Sequence, residues 1–94
     1  MKRYYIEITD LESGDFMFQS KWLKSPRTAE KWIAENVDHI DFINFSVFIM
    51  VADFDEEGCF DNIKRYSYID AHIFANLKEK YRKGEKKWFW PKHK

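Results

Sequence analysis

The residues of this 94-residue chain that could do chemistry are few, and their spacing excludes more than it suggests. The densest acidic run is Asp53-Phe54-Asp55-Glu56-Glu57-Gly58. An EF-hand calcium loop needs acids or amides at positions 1, 3 and 5, glycine at 6 and a bidentate glutamate at 12. Asp53, Asp55 and Gly58 fit that template and Glu57 fits poorly, while position 12 falls on Lys64, a cation. The flanking residues read as strands instead of helices. The run is expected to be a solvated turn or a partner-facing knob, with adventitious binding of a divalent cation as the lesser reading. No metal site and no cofactor are expected.

His39, His72 and His93 do not fall at metal-ligand spacing. His39 is placed near the end of a first helix, where a cation complements the helix dipole. His72 is placed in the first turn of a second helix. Cys59 is the single cysteine, which excludes an internal disulfide and a multi-cysteine zinc site. Nothing around it resembles a nucleophile setting, so it is read as a small, partly buried strand residue. The 3 glycines are scattered and cannot build a phosphate-binding loop. No carboxylate pair stands out as general acid and base. No catalytic residues are expected, and the chain is read as a non-enzyme.

The last segment combines cations with large rings: Lys83, Lys86, Lys87, Trp88, Phe89, Trp90 and Lys92. Lysine beside exposed aromatics suits single-stranded nucleic acid, with phosphates on the ammonium groups and bases stacked on the rings. The same composition suits an anionic membrane interface or a protein partner. Packing of Trp88 or Trp90 onto the fold is the plain structural alternative.

Charge is segregated along the chain. The 16 basic and 16 acidic residues cancel, but residues 35–61 carry eight acids and no Lys or Arg, and residues 78–94 carry a net +6. Segregation of this kind marks interaction surfaces. It also allows the basic end to fold back on the acidic middle. Apolar residues make up 45% of the chain, too many for a disordered segment. No run approaches the ~18 uncharged apolar residues of a transmembrane helix. The charged start, Met-Lys-Arg-Tyr-Tyr-Ile-Glu, does not read as a signal peptide, so a cytoplasmic location is expected.

These residues must be positioned by elements that the pattern predicts. Residues 3–9 read as a strand and 10–15 as a turn. Residues 16–23 read as a second strand with Phe16, Phe18 and Trp22 on one face. Ser25 and Pro26 open a helix as N-cap and first residue. Ala29, Trp32, Ile33, Val37 and Ile40 give that helix its apolar stripe. Residues 44–54 read as a central strand apolar on both faces. Residues 59–69 read as a more polar fourth strand, with Tyr66 and Tyr68 on one face. Asp70 caps a second helix striped by Ile73, Phe74, Leu77 and Tyr81, with Gly84 as its stop. The fold class is α+β: a two-layer sandwich of a four-stranded, mainly antiparallel sheet and two helices, in the order ββαββα. One domain is expected over residues 1–84, followed by a basic aromatic tail over 85–94. The first five elements resemble the hairpin–helix–hairpin order of β-grasp domains.

Several stretches carry a broader resemblance. They are Tyr4-Tyr5-Ile6-Glu7-Ile8-Thr9-Asp10-Leu11-Glu12-Ser13-Gly14, Ser20-Lys21-Trp22, Ala29-Glu30-Lys31-Trp32-Ile33 and Phe54-Asp55-Glu56-Glu57-Gly58. Over roughly residues 4–70 the chain resembles small accessory proteins of phages and mobile elements of Gram-positive bacteria. The resemblance carries over no functional residues. It implies a binding module that occludes a host or defence protein, anti-CRISPR proteins being one such type, at work in the host cytoplasm. The acidic residues Asp53, Asp55, Glu56, Glu57 and Asp61 are the expected protein-binding set. A single-stranded nucleic-acid site on the tail is the alternative, and a self-associating module that forms a homodimer is a third reading.

Overall fold

The structure, a computed structural model, describes residues 1–81. Two antiparallel hairpins are each followed by a helix. The elements are β1 (Lys2–Asp10), β2 (Phe16–Gln19), α1 (Pro26–Asn36), β3 (Phe45–Phe54), β4 (Phe60–Ile69) and α2 (Ala71–Lys80). All strand pairs are antiparallel and the sheet order is β2-β1-β3-β4, which leaves β2 and β4 at the edges. The α+β class and the ββαββα order are as expected. The resemblance to β-grasp domains stays one of element order, because the central neighbours β1 and β3 run antiparallel.

The core lies between one sheet face and the two helices. Alternation along β1 and β3 brings Ile6, Ile8, Val47, Ile49 and Val51 to that face, joined by Ile69 of β4. Ala29, Ile33 and Ala34 of α1 and Leu77 of α2 pack against them. Burying each large aliphatic side chain contributes about 1.5–3 kcal/mol. Ser25 Oγ accepts the Thr28 amide at 3.0 Å and Pro26 follows as the first helical residue. Asp70 Oδ1 accepts the Ile73 amide at 2.8 Å in the same manner.

One contact between the helices corrects the reading of the basic segment. Lys78 does not extend a surface patch. Its half-buried ammonium donates to the Ala34 carbonyl at 3.0 Å and the Val37 carbonyl at 2.7 Å. It thus satisfies carbonyls at the end of α1, where the helix dipole favours a cation. His39 lies beyond α1, which ends at Asn36.

Two face assignments also change. β2 ends at Gln19, because Ser20 intervenes: its Oγ accepts the Ile6 amide at 2.8 Å and donates to the Lys21 carbonyl. Pairing resumes only where Leu23 and Tyr4 exchange backbone bonds of 2.6 and 2.8 Å. The interruption shifts the alternation. Phe18 therefore stacks on Trp32 of α1, while Trp22 reaches the opposite face against Tyr5. In β4, the register shifts between Ile49 and Met50 and again between Val51 and Asp53. The first shift separates the tyrosines. Tyr66 packs edge-on against Tyr4 on the helix side, and Tyr68 lies beside Phe48 on the other face. The second shift coincides with Asn62, whose φ is +56°, a left-handed conformation that asparagine tolerates better than most residues.

Candidate functional site

The acidic set is assembled by the β3–β4 hairpin. Gly58, with φ of +89°, closes the turn. Asp55 builds it: Oδ1 accepts the Glu57 amide at 2.9 Å and the Cys59 amide at 3.0 Å, and the Asp55 amide donates to the Cys59 carbonyl at 2.9 Å. Asp55 is therefore committed to the backbone through one oxygen. Glu56 and Glu57 stand exposed at the tip. Asp53 and Asp61 face each other across the strands. Like charges opposed in a ladder destabilise it, and this pair is relieved from the Asp53 side. Lys2 Nζ donates to Asp53 Oδ1 at 2.7 Å and Asn62 donates to Oδ2 at 3.2 Å. These bonds, that from Lys2 first, hold the Asp53 carboxyl below its ordinary value and raise the Lys2 ammonium above its own. The N-terminal ammonium adds a second cation nearby, donating to the Phe54 carbonyl at 3.1 Å. Asp61 is exposed, and its carboxylate accepts no hydrogen bond among the described residues.

The same hairpin end carries a cluster of rings on the sheet face away from the helices, opposite to Asp53 and Asp61. Phe54 and Phe60 stack at 5.3 Å with 27° between their planes. Trp22 meets both edge-on, at 4.7 and 5.0 Å, and Tyr5 backs Trp22 at 5.0 Å. Phe60 keeps 47% of its surface exposed. An open cleft of about 170 Å³ lies at this hairpin end, lined by Asp53, Phe54, Asp55, Cys59, Phe60 and Asp61. Cys59 is a free, exposed thiol in the turn, not the partly buried strand residue expected.

Comparison with protein-family models, curated proteins and solved structures found no match. The functional reading therefore rests on this geometry.

Among the described residues, no group of three or more His, Cys, Asp or Glu side chains gathers to hold a metal ion. No described helix is long and apolar enough to cross a membrane. The expected tail residues Lys83, Lys86, Lys87, Trp88, Trp90 and Lys92 lie outside the described residues, as does Gly84.

Sequence reasoning missed two features. The ring cluster joins Trp22 to Phe54 and Phe60, which only the interrupted β2 brings together. The other is Glu7, buried in the middle of β1 on the sheet face away from the helices. Its carboxylate accepts the Tyr5 and Thr9 hydroxyls, both at 3.3 Å. Burial first, and then the nearby Glu7 charge, push the Tyr5 phenol above its ordinary value. Alternation alone marks Glu7 as lying off the core face and gives no signal of its burial.

Proposed function

We propose that this chain is a non-enzymatic protein-binding module whose β3–β4 tip engages a basic surface of its partner. The observation that carries the reading is the joining of Asp53, Asp55, Glu56, Glu57 and Asp61 at one hairpin end beside exposed aromatic surface. Carboxylates of this kind steer association and reject acidic surfaces, while rings supply the desolvated contacts that hold a complex. The resemblance to accessory proteins of phages and mobile elements supports an inhibitor or modulator. In that setting the tip occludes a basic groove of a host defence or nucleic-acid-processing protein in the cytoplasm.

The test is capture from nuclease-treated host lysate by the immobilised full chain. The control is a variant carrying Glu56→Lys, Glu57→Lys and Asp61→Lys. Asp55 is left in place because its carboxylate builds the turn. The expected result is a discrete set of basic proteins retained by the wild type, released as salt rises, and lost by the variant. Retention of the same set by the charge-reversed chain overturns the reading. Capture that depends instead on residues 85–94 and disappears on nuclease treatment replaces it with nucleic-acid binding.

A further inference from the structure

The sheet has one face that no described helix covers, since both helices pack on the other face over the core. Register fixes what the open face carries, because paired residues share a face and successive ones alternate. Tyr5, Met50 and Arg65 lie across one line of it, and Glu7, Phe48 and Tyr68 across the next. Phe54, Phe60 and Trp22 close its tip end. Phe60 and Tyr68 keep about half of their surface exposed.

The charges that meet solvent on this face have one sign. Arg65 is exposed, and Arg3, paired with Ala52, is half-buried. Glu7 is the only carboxylate that the described strands place here, and it is buried with one oxygen accepting the Tyr5 hydroxyl and the other that of Thr9. Asp53 and Asp61 lie on the opposite face. The Arg65 guanidinium carbon stands 4.2 Å from the centroid of the Phe48 ring. One face of the guanidinium is thus stacked, and its N–H edge remains for an anion.

Half-exposed rings on a flat sheet, with a cation between them along β4, suit an extended strand of unstacked bases. Each ring stacks on any base, and each guanidinium edge takes a phosphate. An apolar protein segment would use the rings and leave the arginines without an acceptor. A duplex keeps its base faces inside the stack and offers the rings nothing.

We infer that the open sheet face binds single-stranded nucleic acid, with bases stacked on Phe60 and Tyr68 and phosphates held by Arg65 and Arg3. The site is separate from the acidic tip and does not depend on the reading proposed for it. The test is fluorescence anisotropy of a labelled ten-nucleotide oligothymidylate titrated with the full chain over a series of salt concentrations. The matching oligouridylate separates RNA from DNA. The variants are Phe60→Leu and Tyr68→Leu, which keep bulk and remove a ring, and Arg65→Gln, which removes a charge. Thermal melting shows that each variant is folded. Loss of one stacking ring is expected to weaken binding roughly 5- to 150-fold. Arg65→Gln should lower the slope of log affinity against log salt by about 0.7. The Tyr68 ring protons should shift upfield on binding, while those of Trp32 on the helix side stay in place.

Wild-type affinity in all three variants places the nucleic-acid contact elsewhere on the chain and overturns the inference. Equal affinity for single strand and duplex, without ring shifts, reduces the contact to bulk electrostatics and overturns it as well. If neither oligonucleotide binds at low salt, the inference falls, and a dimer in light scattering that Tyr68→Glu disperses then assigns the face to a second copy. None of these outcomes bears on lysate capture by the acidic tip, so the two readings fail separately.

Discussion

At the scale of single residues, the hairpin tip is not uniformly acidic in what it offers. Asp53 is spent on Lys2 and Asn62, Asp55 on its own turn, and Glu56, Glu57 and Asp61 are what a partner meets. The Lys2–Asp53 bond has a pH signature whose direction follows from its sign. Asp53 ionises below its ordinary 3.8 in the fold, so the unfolded chain binds its proton first as pH falls. Its contribution is complete above the unfolded value and is lost as pH drops through the folded one. Asp53→Asn is therefore expected to lower the urea midpoint near neutral pH, and the gap to wild type should close as pH falls well below 3.8. Because the pair is exposed, added salt should narrow the gap at neutral pH as well. A gap that persists unchanged in acid would assign it to backbone effects. The acidic run was legible in the sequence as composition. The division of labour within it was not, because it depends on which amides and ammonium groups the turn places within hydrogen-bond reach.

At the scale of elements, local signals located the secondary structure and tertiary contacts decided its details. Ser25-Pro26 and Asp70 announced both helix starts, since an N-cap acts within its own first turn. Lys78 looked like one more surface cation because its partners, the Ala34 and Val37 carbonyls, lie more than forty positions earlier in the chain. Charge-assisted bonds of this kind are worth about 1.5–3 kcal/mol each in net terms. Lys78→Met, which keeps the aliphatic stem and removes the donor, should therefore destabilise the fold by roughly 1–3 kcal/mol. Denaturant unfolding at matched slope measures this. A change within experimental error would mean that water satisfies the two carbonyls equally well. The faces of Trp22 and Tyr66 were misplaced for a related reason. A strict period of two fails wherever a strand breaks or bulges, and neither Ser20 nor the extra residue Tyr66 between the Ser67 and Arg65 pairings announces this in composition alone.

At the scale of the whole molecule, the two ends of the sheet differ. The β3–β4 end is acidic and aromatic. The opposite end carries Leu11, Phe16 and Ile43 exposed, where the Leu11 amide donates to the Asn44 carbonyl at 2.9 Å and ties the two loops together. Segregated charge was visible along the sequence, and the fold concentrates its acidic part at one tip. β4 forms one border of the sheet over ten residues, with Phe60, Ile63, Tyr66 and Tyr68 all exposed. A straight border of that length and composition would be a template for cross-β growth. Its two register shifts, one at the left-handed Asn62, break the repeat that a second strand would need. Deleting Asn62 removes the extra residue while leaving Asp61 opposite Asp53 and Lys64 opposite Val51. The deleted chain is expected to stay folded when dilute and to form thioflavin-positive fibrils when concentrated, under conditions in which the native chain remains clear. One inserted residue that interrupts a strand would then be what keeps this protein in solution.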